Sequence, residues 1–212
     1  MKKLRKWLVL GAVAALPLQA FGQGSIVYVN PPDVIIGRDE TPQRLDLNGD
    51  GVQDVSFQRS GGQLDVVPAG NNQVSAVANQ PPEAGAETLP IPVGFQIDAN
   101  TLWQGRFVDP LFGDYGSLLA LDYTFPATGP FAGVDGYLGV RFYIGANLHY
   151  GWIRLDFDNG FPNQARGLLA EWAYNSVPNA PLAAGVVPEP STWALLALGA
   201  AGLWKFCRRV RA

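Results

Sequence analysis

The nine-residue run Asp46-Leu47-Asn48-Gly49-Asp50-Gly51-Val52-Gln53-Asp54 is the part of the chain best equipped for chemistry. Oxygen-bearing side chains stand at positions 1, 3, 5 and 9 of the run. Gly51 at position 6 permits a sharp turn, and the Val52 carbonyl would serve position 7. Alternating hard oxygens on a tightly turning loop suit Ca²⁺, which takes six to eight oxygen ligands. Asp46, Asn48, Asp50, Val52 and Asp54 are therefore the candidate metal ligands.

The pattern departs from an EF-hand. Position 12, where a bidentate Glu belongs, is Phe57, and a strand-like stretch follows. The run is similar to the D-x-N-x-D-G-x-x-D loops of extracellular β-rich and dockerin-like proteins, in which a remote acid or water completes the shell. Asp39, Glu40 and Asp65 are the candidates for that acid. A plain turn stays open beside the metal reading, because Asn48-Gly49 and Asp50-Gly51 are strong turn formers. A bound Ca²⁺ would be structural, clipping a domain that has no disulfide.

Signals of catalysis are thin. His149 is the single histidine, which rules out a His-rich zinc site and leaves a Ser-His-Asp triad resting on one residue. There is no Gly-x-Ser-x-Gly elbow and no nucleotide-binding glycine loop. A carboxylate pair for glycoside hydrolysis stays open, because separations cannot be read from sequence. The expectation is a non-enzymatic protein. Trp103, Trp152 and Trp172 are the only tryptophans between the two terminal segments. Core packing is the commoner fate of such rings, and Trp152, on the wetter face of its strand, is the candidate platform for a carbohydrate ligand.

The elements that must position these residues are short strands. Between Gln23 and Gly185 no convincing amphipathic helix occurs; β-branched and aromatic stretches of four to eight residues alternate with Gly, Pro, Asn and Asp. The expected strands are Ser25–Val29, Arg44–Leu47, Val55–Gln58, Leu64–Val67, Val74–Ala78, Phe95–Ile97, Leu118–Phe125, Tyr137–Ile144, Tyr150–Phe157 and Leu168–Tyr174. In the ninth, Ile153, Leu155 and Phe157 share one face, and Trp152, Arg154 and Asp156 the other. It forms a hairpin with Tyr137–Ile144 through residues 145–149, which would let Arg141 meet Asp156. Pro68–Val93 reads as a long loop with one edge strand. The fold class is all-β: an antiparallel sandwich or jelly-roll-like domain.

Charge separates the middle from the ends. Residues 23–190 hold seven arginines, no lysine and all 18 carboxylates, a net −11. Such a surface repels nucleic acid and anionic membrane and favours divalent cations. No nucleic-acid partner is expected. The sole cysteine, Cys207, lies in the C-terminal tail, so no disulfide can staple the middle. Cys207 is either a lipidation or redox site at the membrane edge or, the favoured reading, a small apolar residue in a discarded tail.

Residues 1–22 read as a secretory signal: a basic start (Lys2, Lys3, Arg5, Lys6), an apolar stretch from Trp7 to Leu18, and Ala20-Phe21-Gly22 before a cleavage site. Signal peptidase and the Sec export machinery are the implied partners. At the other end, residues 187–212 contain Pro188-Glu189-Pro190, an apolar stretch from Trp193 to Trp204, and a basic tail of Lys205, Arg208, Arg209 and Arg211. The prolines stop any preceding element from continuing into the apolar stretch. That stretch is helix-competent but shorter than the roughly 20 residues of a comfortable transmembrane helix. Its terminal tryptophans and basic tail suit a marginal, transient span of the inner membrane.

This tripartite end resembles the PEP-CTERM sorting signal of Gram-negative bacteria. His149–Leu155 and Glu171–Tyr174 are also similar to stretches common near the end of such proteins. The resemblance implies recognition by an exosortase, removal of the tail, and delivery to the cell envelope, the surface or the extracellular matrix. It implies no activity. The expected organisation is signal peptide 1–22, a β-rich extracytoplasmic domain 23–186 and sorting signal 187–212. The expected function is a structural surface or matrix protein, stabilised by Ca²⁺. The alternatives are a Ca²⁺-dependent exopolysaccharide-binding module and a glycoside-acting enzyme.

Overall fold

The computed structural model describes residues 26–78, 86–109, 113–121, 127–157 and 165–187. The signal segment, Pro188-Glu189-Pro190, the apolar stretch from Trp193 to Trp204, Cys207 and the basic tail lie outside the described residues, as do Ser25 and Phe125 at the ends of two expected strands.

Among the described residues there are seventeen strands and no helix. The first six are β1 (Ile26–Val29), β2 (Val34–Ile36), β3 (Gln43–Leu45), β4 (Val55–Ser60), β5 (Gln63–Pro68) and β6 (Gln73–Ala78). Six short ones follow: β7 (Ala86–Thr88), β8 (Pro90–Ile91), β9 (Gln96–Ile97), β10 (Trp103–Gln104), β11 (Phe107–Asp109) and β12 (Gly113–Tyr115). The last five are β13 (Ser117–Leu121), β14 (Asp135–Ile144), β15 (Asn147–Asp156), β16 (Gly167–Asn175) and β17 (Leu182–Ala183).

Thirteen of them form one curled sheet whose main order is β1-β16-β15-β14-β6-β7-β13-β5-β4-β3, with β2, β8 and β10 attached at its sides. All its pairings are antiparallel except β13 with β7. The expected all-β, sandwich-like architecture is therefore present, and its two layers are one sheet folded over on itself. Phe57, Leu64 and Val66 from one layer share a core with Val140, Phe142, Ile153, Leu155 and Trp172 from the other. The Trp172 indole N–H donates to the Leu47 carbonyl (3.1 Å) and ties the two layers together.

Period two explains the inner face. Ile153, Leu155 and Phe157 point into this core, as do Val140 and Phe142. On β16 the phase would fail, since Leu169 and Trp172 are three residues apart. A bulge between the Arg154 and Leu155 pairings absorbs one residue and returns both to the same core.

The hairpin register differs from the expectation. Only Gly145-Ala146 separate β14 from β15, with Gly145 at φ 62°, a value suited to the first central residue of a tight hairpin turn. Arg141 therefore lies opposite Tyr150, and Asp156 opposite Asp135. The expected Arg141–Asp156 pair does not form. Arg141 instead donates to the Gln73 side chain and sits 5.1 Å above the Trp103 ring. Arg154 takes the carboxylates, gripping Asp135 with two hydrogen bonds (3.0 and 2.7 Å) and approaching Glu171 at 3.6 Å.

A second correction concerns Pro68–Val93. Val74–Ala78 is no edge strand. β6 pairs with β14 at its start, with β7 at its end and with β10 along the way. The segment 86–91 pairs first with β6 and then, as β8, with β14. It thus wedges between two strands that are bonded at one end and splayed at the other. Ser75 sits at the fork, its hydroxyl donating to the Leu89 carbonyl (3.1 Å) and accepting the Gly139 N–H (2.9 Å).

Candidate functional site

The loop between β3 and β4 is wound by its own side chains. Asp46 Oδ1 accepts the N–H groups of Gly49 (2.7 Å) and Asp50 (3.3 Å), and Oδ2 accepts that of Gly51 (2.7 Å). Asn48 Oδ1 accepts the Asp50 N–H (3.0 Å), and Asp50 Oδ1 accepts that of Val52 (2.8 Å). Gly49 and Gly51 stand at φ 76° and 86°, the left-handed region that glycine enters without steric cost. These short side chains compete for the backbone as Asx turns do, which is why the run closes without regular structure.

Asp54 is set apart. It is 3% exposed, and its carboxylate faces the base of the loop. Oδ2 accepts the Leu47 N–H (2.8 Å) and Oδ1 accepts the Asn72 side-chain amide (3.1 Å). Burial pushes its carboxyl up to about 6 against the pull of those donors, and the charges of Asp46 and Asp50 add to the rise. Asp46, Asn48 and Asp50 are thus brought together at the exposed tip, whereas Asp54 is an anchor beneath them. Among the described residues, no group of three or more Asp, Glu, His or Cys side chains is gathered closely enough to hold a metal. Neither Asp39, which accepts the Thr41 N–H, nor Asp65, held by Gln63 on β5, joins the tip.

Sequence reasoning missed Asn72. Its amide donates to the Asp54 carbonyl and carboxylate, and its Oδ1 accepts the Tyr143 N–H (3.1 Å), so it joins the loop to β14. Nothing in a lone Asn after a Gly-Asn turn signals that role. Beside it lies an open cleft of about 330 Å³ lined by Val52, Gln53, Asn71, Asn72 and the exposed Tyr143.

Trp152 is not a surface platform. Its relative exposure is 0%, and the outer face of β15 is no wet face. Tyr137 meets it edge-on at 5.1 Å and Tyr28 tilts against it at 6.2 Å. Ile91, Ile97, Leu182 and Ala184 join it in a second core. The cover comes from β8, β9 and β17, two-residue strands too short to leave a period in the sequence. Trp103 stacks on Tyr150 at 6.0 Å in the same outer layer. His149 is buried, donates from Nδ1 to the Asn175 carbonyl (2.8 Å) and packs against Phe142 and Tyr174. That is the setting of a structural histidine.

Among the described residues, no helix is long and apolar enough to cross a membrane; the apolar stretch 193–204 is not among them. No curated protein and no solved structure matches the chain. Residues 186–211 match the PEP-CTERM protein-sorting motif, over the same prolines, apolar stretch and basic tail picked out by their order in the sequence. That motif marks an exosortase as the processing partner and the cell envelope or surface as the destination. The chain is a PEP-CTERM domain-containing protein.

Proposed function

We propose that this exosortase-sorted protein serves as a non-enzymatic structural unit of the cell surface or extracellular matrix, with its domain clipped by Ca²⁺ at the β3–β4 loop. The precursor is held in the inner membrane by the apolar stretch 193–204 until the tail is removed. The observation that carries the calcium reading is the winding of the loop tip. Three hard-oxygen side chains, those of Asp46, Asn48 and Asp50, are gathered there by hydrogen bonds on a backbone already bent through two left-handed glycines. Asp46, Asn48, Asp50 and the Val52 carbonyl would hold the ion, with water completing its shell. Asp54 would serve from below, fixing Leu47 and through it the Trp172 tie.

Calorimetric titration of Ca²⁺ into the purified protein tests this reading. A saturable heat that disappears in Asp46→Ala and Asp50→Ala supports it; no heat at millimolar Ca²⁺ reduces the loop to a turn.

A second reading, a Ca²⁺-dependent exopolysaccharide-binding module, is favoured by the cleft beside the loop. Tyr143 offers an exposed ring there, with Gln53 and Asn71 as polar neighbours. Trp152 takes no part in it. Polysaccharide that perturbs the protein's near-ultraviolet spectrum, with the change lost in Tyr143→Ala, would support the binder over the purely structural protein.

A further inference from the structure

The described chain ends at Val187, at a distinctive place on the surface. β17 pairs with β9, and the residues beyond it stay fastened to the same segment. The Gly94 N–H donates to the Ala184 carbonyl (2.9 Å), and the Ala184 N–H to the Phe95 carbonyl (2.9 Å). Val93 and Tyr137 close over Gly185 so tightly that a Cβ there would lie 2.8 Å from Val93 Cγ2. The chain therefore leaves the domain beside the β8–β9 turn. The same place shows apolar side chains to solvent: Val93 is 70% exposed, Leu102 58%, Phe95 44% and Val187 40%. Phe95 and Leu102 line one cleft of about 320 Å³ with Pro92.

Most of this face is uncharged, with Asp98 the one carboxylate on the turn that leads to Leu102. Residues 89–97 and 172–187 contain no Asp, Glu, Lys or Arg, in a region, 23–190, that carries a net −11. Contiguous exposed apolar surface of this kind marks an interaction site.

We propose that the face formed by Val93, Phe95, Leu102 and Val187 rests on the lipid surface while the tail holds the precursor in the membrane. The proposal rests on the anchored-precursor reading above. Only residues 188–192 separate Val187 from the apolar stretch that begins at Trp193. Even fully extended, that link spans no more than about 22 Å. The end of the domain bearing the face is thus held at the bilayer. The acidic remainder is repelled by an anionic leaflet, so electrostatics and apolar contact select the same orientation. Four side chains make a weak anchor alone, and their contact with lipid depends on the tethered tail. Cleavage of the tail would release the domain without further work.

The test uses the full chain with Cys207→Ser and a single introduced cysteine, Leu102→Cys or Ser60→Cys, carrying an environment-sensitive fluorophore. Ser60 is the exposed last residue of β4, in the opposite layer. Each protein is reconstituted into phosphatidylcholine vesicles, floated on a density gradient, and quenched by headgroup nitroxide lipid or by aqueous iodide. The expected result is flotation of both, with nitroxide quenching several-fold stronger at position 102 than at 60 and iodide quenching in the reverse order. Flotation with equal quenching at the two sites overturns the proposal and leaves the anchor intact. Failure to float overturns the anchored-precursor reading and this proposal together. Shielding of position 102 without vesicles, growing with protein concentration, would assign the face to a second copy of the chain and overturn it as well.

Discussion

The inner and outer faces of β14, β15 and β16 are built from the same strands, yet only one could be read in advance. Val140, Phe142, Ile153 and Leu155 alternate into a core shared by two layers of one sheet. Their partners on the other face include a tryptophan, a tyrosine and an arginine, residues that read as wet or half-wet. In the structure Trp152 is as dry as Phe142. The difference lies in what covers each face. The inner face is closed by long strands that announce themselves by period. The outer face is closed by β8, β9 and β17, which hold two residues each among prolines and glycines. Alternation reports whether a strand has an apolar side; it says nothing of a cover assembled from fragments.

The comparison is easiest to break at its two central rings. Phe142→Ala and Trp152→Ala should each cost about 3–5 kcal/mol, the range for emptying a large buried aromatic site. Denaturant melts of both variants check this. A Trp152→Ala cost below about 1 kcal/mol would return the outer face to solvent.

A smaller effect belongs to the layer that carries the loop. Burial raises Asp54 from an ordinary value near 3.8 to about 6, and raises Asp65 as well. Between those values the folded protein binds more protons than the unfolded chain, so stability falls as pH rises through that window. In the presence of chelator, Asp54 alone should remove at most about 3 kcal/mol between pH 4 and 6. Unfolding free energies across that range should show the decline, and Asp54→Asn should flatten it. A curve that rises over the same range would contradict the buried, protonatable anchor.

The smallest effect is expected on the rim of the outer face. Arg154 is drawn to Asp135 by paired hydrogen bonds, but both side chains are more than a third exposed. Asp135→Ala should therefore cost only about 0.2–1 kcal/mol, less in high salt. A loss above 2 kcal/mol in a denaturant melt would mean that the ion pair, rather than the tyrosines and the short strands, closes the outer layer.

Much of the fold was legible because long strands carry their own pattern. All ten expected strands have counterparts, and the inward faces of the central hairpin are as their alternation requires. The register was legible only in part: putting Val140, Phe142 and Ile144 on the same face as Ile153, Leu155 and Phe157 requires an even-numbered turn, which excludes the five-residue connection 145–149 but does not choose between two residues and four. The fork at Ser75 was hidden for a related reason: its wedge, 86–91, is a proline-bearing segment with no period. At the loop, residue types and spacing put Asp46, Asn48 and Asp50 on one tight turn, and their hydrogen bonds to its backbone wind that turn. Types and spacing could not reveal that Asp54 would turn inward, because that depends on Asn72, distant in sequence. The sorting tail was readable without any tertiary structure, being a linear arrangement of prolines, apolar stretch and basic end.

A thermal melt of the purified protein with Ca²⁺, then with excess chelator, tests the central claim most directly. At a hundredfold excess over Kd, linkage gives about 2.7 kcal/mol of stabilisation, a rise of several degrees for a domain of this size. The account predicts that rise in the native protein and its loss in Asp46→Ala and Asp50→Ala. An unchanged melting temperature at millimolar Ca²⁺ would contradict the calcium clip.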